Sequence, residues 1–330
     1  MKILRILLVA VILISLIAFV RATDMQQVLA SMRQVGLKFF VLILVTFCSG
    51  FCATIGWRYC FGASGKDLSL WHLFTVRVAG EALGLVNPTS VIGGDALKAF
   101  LLRKKEIEPK TVLASLLLSR VLMVLTQLLL FTLAVFVLYS GSGTSLQLPQ
   151  LPPALYVAIL VSIPAVIFLA RNSWLKDLIR PTAFGAGLAR RTFRVRKKMA
   201  EVRTELVSLY KNNKKNLVYS SAFFALHWVF GAAEFYFILL FLGVKATLVQ
   251  AILVDMGVVF FKAAGAFVPG QIGIEEYGNK VMLATIGAPG TEIWVAASIL
   301  RRARQLFWIA AGLLAYFGMS EKRNFLFRRR

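Results

Sequence analysis

Charged side chains stand inside stretches of this chain that are otherwise apolar enough to enter a bilayer, and they are where chemistry can be done. Glu81, Asp95 and Lys98 lie in the stretch GEALGLVNPTSVIGGDALKAFLLRKK, from Gly80 to Lys105. Lys262, Glu275 and Glu276 lie in a second such stretch, and Glu234 and Asp255 also fall within apolar runs. Arg120 sits about ten residues into one long apolar run, and Arg301, Arg302 and Arg304 about ten into another. A charge at the centre of a transmembrane helix costs at least about 2.5 to 3.5 kcal/mol on insertion scales, so such residues face a partner or a cavity. The planar guanidinium of Arg120 or Arg301 suits a bidentate grip on a phosphate or carboxylate. The other reading is an internal ion pair with Glu81, Asp95, Glu275 or Glu276. The two are compatible, since an arginine held by a carboxylate still has a free edge for an anionic head group. The carboxylates can carry protons or hold sodium, with nearby basic residues setting their affinity for the proton. His72 and His227 are isolated and read as interfacial or satisfied rather than catalytic.

The elements that must position these residues are broken helices. Asn87-Pro88 and Gly93-Gly94 cut the first stretch, and irregular backbone at membrane depth survives only where protein buries it or it lines a wet cavity. The spacing predicts two short helices, Leu68 to Val86 and Thr89 to Leu102, meeting at a Pro/Gly tip. At about 1.5 Å of rise per residue the second is roughly 21 Å long, short of the roughly 30 Å hydrocarbon core, so the pair dips rather than crosses. A second copy follows at an offset of 181 residues, which aligns Pro88 with Pro269, Arg120 with Arg301, Gly84 with Gly265, Ala82 with Ala263 and Asp95 with Glu276. Its arms are Thr247 to Phe267 and Gly273 to Ile286, with VPGQIG at the tip. Pro109 and Pro289 pair after a one-residue slip.

The 330 residues are 58% hydrophobic with a mean hydropathy of +0.75, and several runs reach the length a crossing needs. The fold class expected is an all-α polytopic membrane protein, a single integral membrane domain over residues 1–330. It has about six spanning helices plus two re-entrant helical hairpins in an inverted-topology repeat, with halves at 1–140 and 154–317. Met1 to Val20 reads as a retained first helix, because the apolar run is long and its end, FVRAT, has arginine where signal cleavage wants a small residue. Further spans are expected at Phe39 to Trp57, Thr111 to Tyr139, Ala154 to Ala170, Leu217 to Leu242 and Thr291 to Phe317. A net charge of +23 would point to nucleic acid in a soluble chain. Here the basic residues gather in short loops beside apolar helices, as the positive-inside rule expects, and no nucleic-acid partner is implied. Thirteen lysines and arginines face three acids between Arg171 and Lys215, which marks the loop 171–216 as cytoplasmic. Part of it, Leu188 to Tyr210, reads either as an amphipathic helix on the anionic inner leaflet or as a topology signal alone. Both termini are expected in the cytoplasm and the two hairpins enter from opposite faces, an arrangement in which the breaks mark a transporter's substrate site. Cys48, Cys52 and Cys60 cluster in or beside one apolar segment without acidic or histidine companions and read as packing residues, so no metal or cofactor is expected.

No H-E-x-x-H, G-x-S-x-G or P-loop spacing is present, which argues against an enzyme. GGDALKAFLLRKK (Gly93 to Lys105), with NPTS before it, resembles the first signature of the lysylphosphatidylglycerol synthase transmembrane family, also called flippase-like integral membrane proteins. VPGQIGIEEYG (Val268 to Gly278) and ASILRRARQLFWIAAG (Ala297 to Gly312) resemble its second, a PGG-x-G-x-x-E turn and a helix with an arginine; Gln271 stands where the family often has glycine. The resemblance covers nearly the whole chain and implies a lipid-handling membrane domain standing without the synthase domain, in a bacterial cytoplasmic (inner) membrane. Its partners would be membrane lipids, whether phospholipid, hopanoid or lipid-linked sugar, and enzymes of lipid synthesis. Carried over residue by residue, it points to Asp95, Lys98, Pro269, Gly270, Gly273, Glu275, Glu276 and Arg301. With Glu81, Arg120 and Lys262 these form the expected substrate-binding set. The function expected is movement of an amphipathic lipid, anionic or lipid-linked, between leaflets. The alternatives are a membrane-embedded glycosyl- or acyltransferase acting on a lipid carrier, and a non-catalytic accessory of a lipid pathway.

Overall fold

Helix ends fall where the apolar runs meet proline, glycine or charge. The computed structural model describes residues 33, 35–86, 90–102, 107–140, 201–202, 204–205, 207–208, 214–264, 271, 273–288 and 290–328, and among these it has eight α-helices and no strand. They are α1 (Phe39–Tyr59), α2 (Leu70–Val86), α3 (Ser90–Leu102), α4 (Pro109–Ser140), α5 (Lys214–Phe241), α6 (Leu248–Ala264), α7 (Ile274–Thr285) and α8 (Thr291–Arg328). The expected helix from Met1 to Val20, the span from Ala154 to Ala170, most of the loop 171–216 and the tip residues Asn87, Pro88, Pro269 and Gly270 lie outside the described residues.

Among the described residues three segments, Gly36–Tyr59, Pro109–Ser140 and Lys214–Phe241, are long and apolar enough to cross a membrane. The helix α8 is longer, 38 residues, but Arg301, Arg302 and Arg304 interrupt its apolar run. It also continues past the expected end at Phe317, because the following Glu, Lys and Arg residues are good helix formers and nothing there breaks the ladder.

Gly93 and Gly94 do not belong to the break as expected; both lie inside α3. Their use is contact. A Cβ on Gly94 would fall 2.5 Å from the Gly80 carbonyl oxygen, so α2 and α3 meet backbone to backbone. Small residues at helix crossings serve this purpose in lipid, where packing rather than water exclusion drives association. Gly312 does the same for α8 and α2, since a Cβ there would lie 2.8 Å from the Val78 carbonyl oxygen and collide with Ala82.

The order of lengths recurs. Helices of 17, 13 and 32 residues (α2, α3, α4) are echoed by 17, 12 and 38 (α6, α7, α8). Packing recurs as well. The helix α1 lies along α5, α2 pairs with α3, and α6 pairs with α7. The long α4 then crosses to α6, while the long α8 crosses to α2. Each long helix thus braces the pair from the other part of the chain. Phe131, Phe235 and Met282 are buried in the core on the α6–α7 side, and Trp57, Phe61 and Phe224 in the core beside α2 and α3.

Candidate functional site

Between α1, α2, α5, α6 and α8 lies a cavity of about 470 Å³. Its walls mix charge with aromatic surface: Glu81 from α2, His227 and Glu234 from α5, Asp255 and Lys262 from α6, Arg301 and Arg304 from α8, with Phe74, Trp228 and Trp308 between them. Polar groups at this depth must be satisfied by one another, and each of the charged ones has an opposite charge within 4 Å.

Arg301 is the hub. Its Nη1 donates to Asp255 Oδ1 at 3.1 Å, and its Nε lies 3.1 Å from Glu275 Oε1 without the alignment of a hydrogen bond. The guanidinium also stacks over Phe235, 4.2 Å from the ring centroid. Glu275, 3% exposed, takes a hydrogen bond from Gln305 Nε2 at 2.9 Å and has Lys262 Nζ at 3.4 Å. Arg304 grips Glu234 with two parallel bonds of 2.8 and 3.0 Å, tying α8 to α5. Arg302 faces away from the cavity and holds Glu276 at 2.8 Å. The other oxygen of Glu276 accepts the Gly273 backbone N–H at 2.8 Å, so one carboxylate both caps α7 and ties it to α8.

The first half has its own pairs. Arg77 Nη2 lies 2.6 Å from Glu81 Oε1 along α2. Arg120 grips Asp95 with bonds of 2.9 and 3.0 Å, fixing α4 to α3, and Lys98 Nζ donates to the same carboxylate at 3.1 Å. Across these described groups seven cations (Arg77, Lys98, Arg120, Lys262, Arg301, Arg302, Arg304) meet six carboxylates (Glu81, Asp95, Glu234, Asp255, Glu275, Glu276).

Of the residues expected from sequence, Glu81, Lys262 and Arg301 line the cavity. Asp95, Lys98 and Arg120 form the pair cluster on α3 and α4 and do not line it, and Glu275 and Glu276 stand behind Lys262, Arg301 and Arg302. Gly273 opens α7 with φ +81°, where glycine is at ease, and Pro269 and Gly270 lie outside the described residues. The offset of 181 would give Glu276 to Arg301, but Glu276 goes to Arg302 because Arg301 turns to Asp255 and Glu275.

Sequence reasoning missed Arg77, whose i,i+4 spacing to Glu81 was the available signal. It also read His227 as isolated. In the fold His227 meets Ser49, 178 residues away, with Ser49 Oγ 2.7 Å from Nδ1. The Ser49 hydroxyl donates to the His227 carbonyl at 2.9 Å, so its proton is engaged in joining α1 to α5. Gln271 also borders the cavity. It holds φ +52°, and its Nε2 donates to the Lys262 carbonyl at 3.2 Å while its own carbonyl lies 3.5 Å from Arg302 Nη2.

Long apolar helices closing round a charged, internally paired cavity define a helical membrane protein. The chain belongs to the family described as the lysylphosphatidylglycerol synthase TM region, which matches residues 2–312. That membership makes it a lipid-related membrane protein. No curated protein and no solved structure matches the chain.

Proposed function

We propose that this protein moves an amphipathic lipid, anionic or lipid-linked, between the leaflets of a bacterial cytoplasmic membrane. The observation that carries the reading is the cavity itself. Its volume of about 470 Å³ falls within the range of about 300 to 1,000 Å³ typical of small-molecule sites, and its polar wall is contributed by helices from both parts of the chain. A head group passes through it while the tails stay in the bilayer. Glu81, Lys262 and Arg301 meet the head group. Asp95 with Arg120, and Glu276 with Arg302, hold each short helix pair to the long helix that follows it.

In this reading α2–α3 and α6–α7 are re-entrant hairpins entering from opposite faces. They belong to an inverted-topology repeat with halves 1–140 and 154–317 of one membrane domain, six spans and both termini in the cytoplasm. The matched helix lengths and the reciprocal crossing of α4 and α8 support it. The partners are membrane lipids, phospholipid or hopanoid or lipid-linked sugar, and the enzymes that make them.

The test is to fill the cavity without breaking an ion pair. A Cβ on Gly231 meets nothing nearer than Asp255 Oδ2 at 3.5 Å, so Gly231→Ala is tolerated and Gly231→Leu projects into the cavity. In vesicles carrying a head-labelled phospholipid, Gly231→Leu abolishes leaflet exchange and Gly231→Ala retains it. Unchanged exchange in a folded Gly231→Leu protein refutes passage through this cavity.

A further inference from the structure

The walls of the cavity repeat. On α2 and α6, Val78 and Val259, Glu81 and Lys262, and Ala82 and Ala263 all line it, each pair 181 positions apart. The same offset relates Thr46 on α1 to His227 on α5, both on the wall. The long helices break the pattern. The helix α8 lines the cavity with Arg301, Arg304 and Trp308, whereas their counterparts on α4, Arg120, Met123 and Gln127, lie off it.

The ion pairs differ in the same sense. Asp95 grips Arg120 with two bonds and keeps it against α3. Its counterpart Glu276 goes to Arg302, and Arg301 bonds Asp255 on the cavity wall with Glu275 behind it. The helix α8 is joined to α1 by Trp308 Nε1, which donates to Thr46 Oγ1 at 2.9 Å. The counterpart of that contact would join Gln127 to His227, and both groups are uncommitted. Gln127 is buried and makes no side-chain hydrogen bond among the described residues. The Ser49 carbonyl oxygen, which can only accept, lies 3.0 Å from His227 Nδ1, so Nδ1 carries the ring proton. His227 Nε2 is then an acceptor, without a partner among the described residues. One turn from Gln127 the Met123 carbonyl already accepts Trp228 Nε1 at 2.9 Å, so α4 and α5 touch at this level.

We propose that α4 is the cavity's alternate wall: as the cavity turns from one leaflet to the other, α8 withdraws and Arg120, Met123 and Gln127 take the places of Arg301, Arg304 and Trp308, with Gln127 donating to His227 Nε2. Rocking of one repeat against the other is how inverted repeats reach their second state. Lys98 stays on Asp95 when Arg120 leaves, so the carboxylate is not orphaned. Phe74 is the counterpart of Asp255, so Arg120 meets an aromatic face there, as Arg301 now meets Phe235. The inference rests on the transport reading above and names the residues that serve its second state.

Sided thiol labelling of the full-length protein tests it, with Cys48, Cys52 and Cys60 replaced by alanine and a single cysteine put back elsewhere. The probe is the membrane-impermeant trimethylammonium-ethyl methanethiosulfonate, added to right-side-out and inside-out vesicles that also report leaflet exchange of a head-labelled phospholipid. A thiol in apolar surroundings stays protonated and unreactive. Thr46→Cys reacts from one side and Met123→Cys from the other. Asp95→Asn loosens the grip on Arg120 and speeds Met123→Cys labelling about tenfold, the step from a charge-assisted to a neutral hydrogen bond. His227→Phe slows it about fivefold, the scale of one hydrogen bond, and His227→Gln, whose amide can serve both Ser49 and Gln127, restores it. A general loosening of the fold would move Asp95→Asn and His227→Phe the same way, and that result overturns the proposal. So does a Met123→Cys that stays unreactive, or reacts from the same side as Thr46→Cys, in protein that still exchanges lipid; transport is then left standing. No leaflet exchange by the folded, unaltered protein removes the transport reading and this one with it.

Discussion

Replacing Arg301 with glutamine tests the buried ion network most directly. Arg301, Asp255 and Glu275 are 6%, 7% and 3% exposed at the side chain, so neither carboxylate can turn to solvent when the guanidinium is lost. Their fates differ. Glu275 keeps Lys262 at 3.4 Å and the Gln305 amide at 2.9 Å, whereas Asp255 loses the group that bonds its Oδ1. Breaking a buried pair on one side costs about 3 to 5 kcal/mol, because the remaining charge is left uncompensated. At 1.4 kcal/mol per factor of ten, that is roughly a hundred- to a few-thousand-fold in the folding equilibrium. The double variant Arg301→Gln with Asp255→Asn replaces the pair by two neutral amides that can bond each other and should recover at least half of the loss. Reversible unfolding in mixed micelles, read as a double-mutant cycle, measures both quantities. A single-variant cost below about 1 kcal/mol, or a double variant no better than the sum of the singles, would refute the reading of Arg301 and Asp255 as a coupled buried pair.

Further outcomes are expected. Gly94→Ala forces a methyl against the Gly80 carbonyl and costs about 1 to 3 kcal/mol, the usual range for overpacking; a change within experimental error in the melting profile would show that α2 and α3 are not in backbone contact. Arg304→Gln strips Glu234 of both its bonds and loosens α8 from α5, seen as faster hydrogen exchange along α5 near Glu234 than in the unaltered protein. Gln271→Gly relieves a left-handed residue, worth about 1 to 2 kcal/mol, but loses a side-chain bond worth about 1 kcal/mol, so thermal stability moves by no more than about 1 kcal/mol. Cys48, Cys52 and Cys60 are free thiols, so a reductant leaves the melting temperature unchanged; a drop would mean a disulfide.

Much of the scaffold was legible from residue order alone. The spans expected at Phe39 to Trp57 and Thr111 to Tyr139 are realised as Phe39–Tyr59 and Pro109–Ser140, because long apolar runs leave the backbone no alternative to its own hydrogen bonds. The arms expected at Thr89 to Leu102 and Gly273 to Ile286 appear as Ser90–Leu102 and Ile274–Thr285, set by the proline before one and the glycine before the other. What could not be read was partner choice. Of three arginines within four residues, Arg301 and Arg304 share the cavity face of α8 while Arg302 faces away from it, and which carboxylate each one finds depends on how α8 is turned against α5, α6 and α7. The same holds for His227, whose partner is distant in sequence and whose environment exists only once α1 lies along α5. Gly93 and Gly94 misled for a related reason: glycine marks both a turn and a close helix contact, and only the neighbouring Gly80 distinguishes them.

The crossing of the long helices has a consequence for biosynthesis. While α4 is emerging from the ribosome its brace, α6, has yet to be translated, and α2 must wait even longer for α8. Neither moiety can therefore mature by itself, and the nascent chain depends on its insertion machinery until nearly the last helix arrives. Severing the gene within codons 141–200 should give two polypeptides that are degraded when expressed singly and rescued when expressed together.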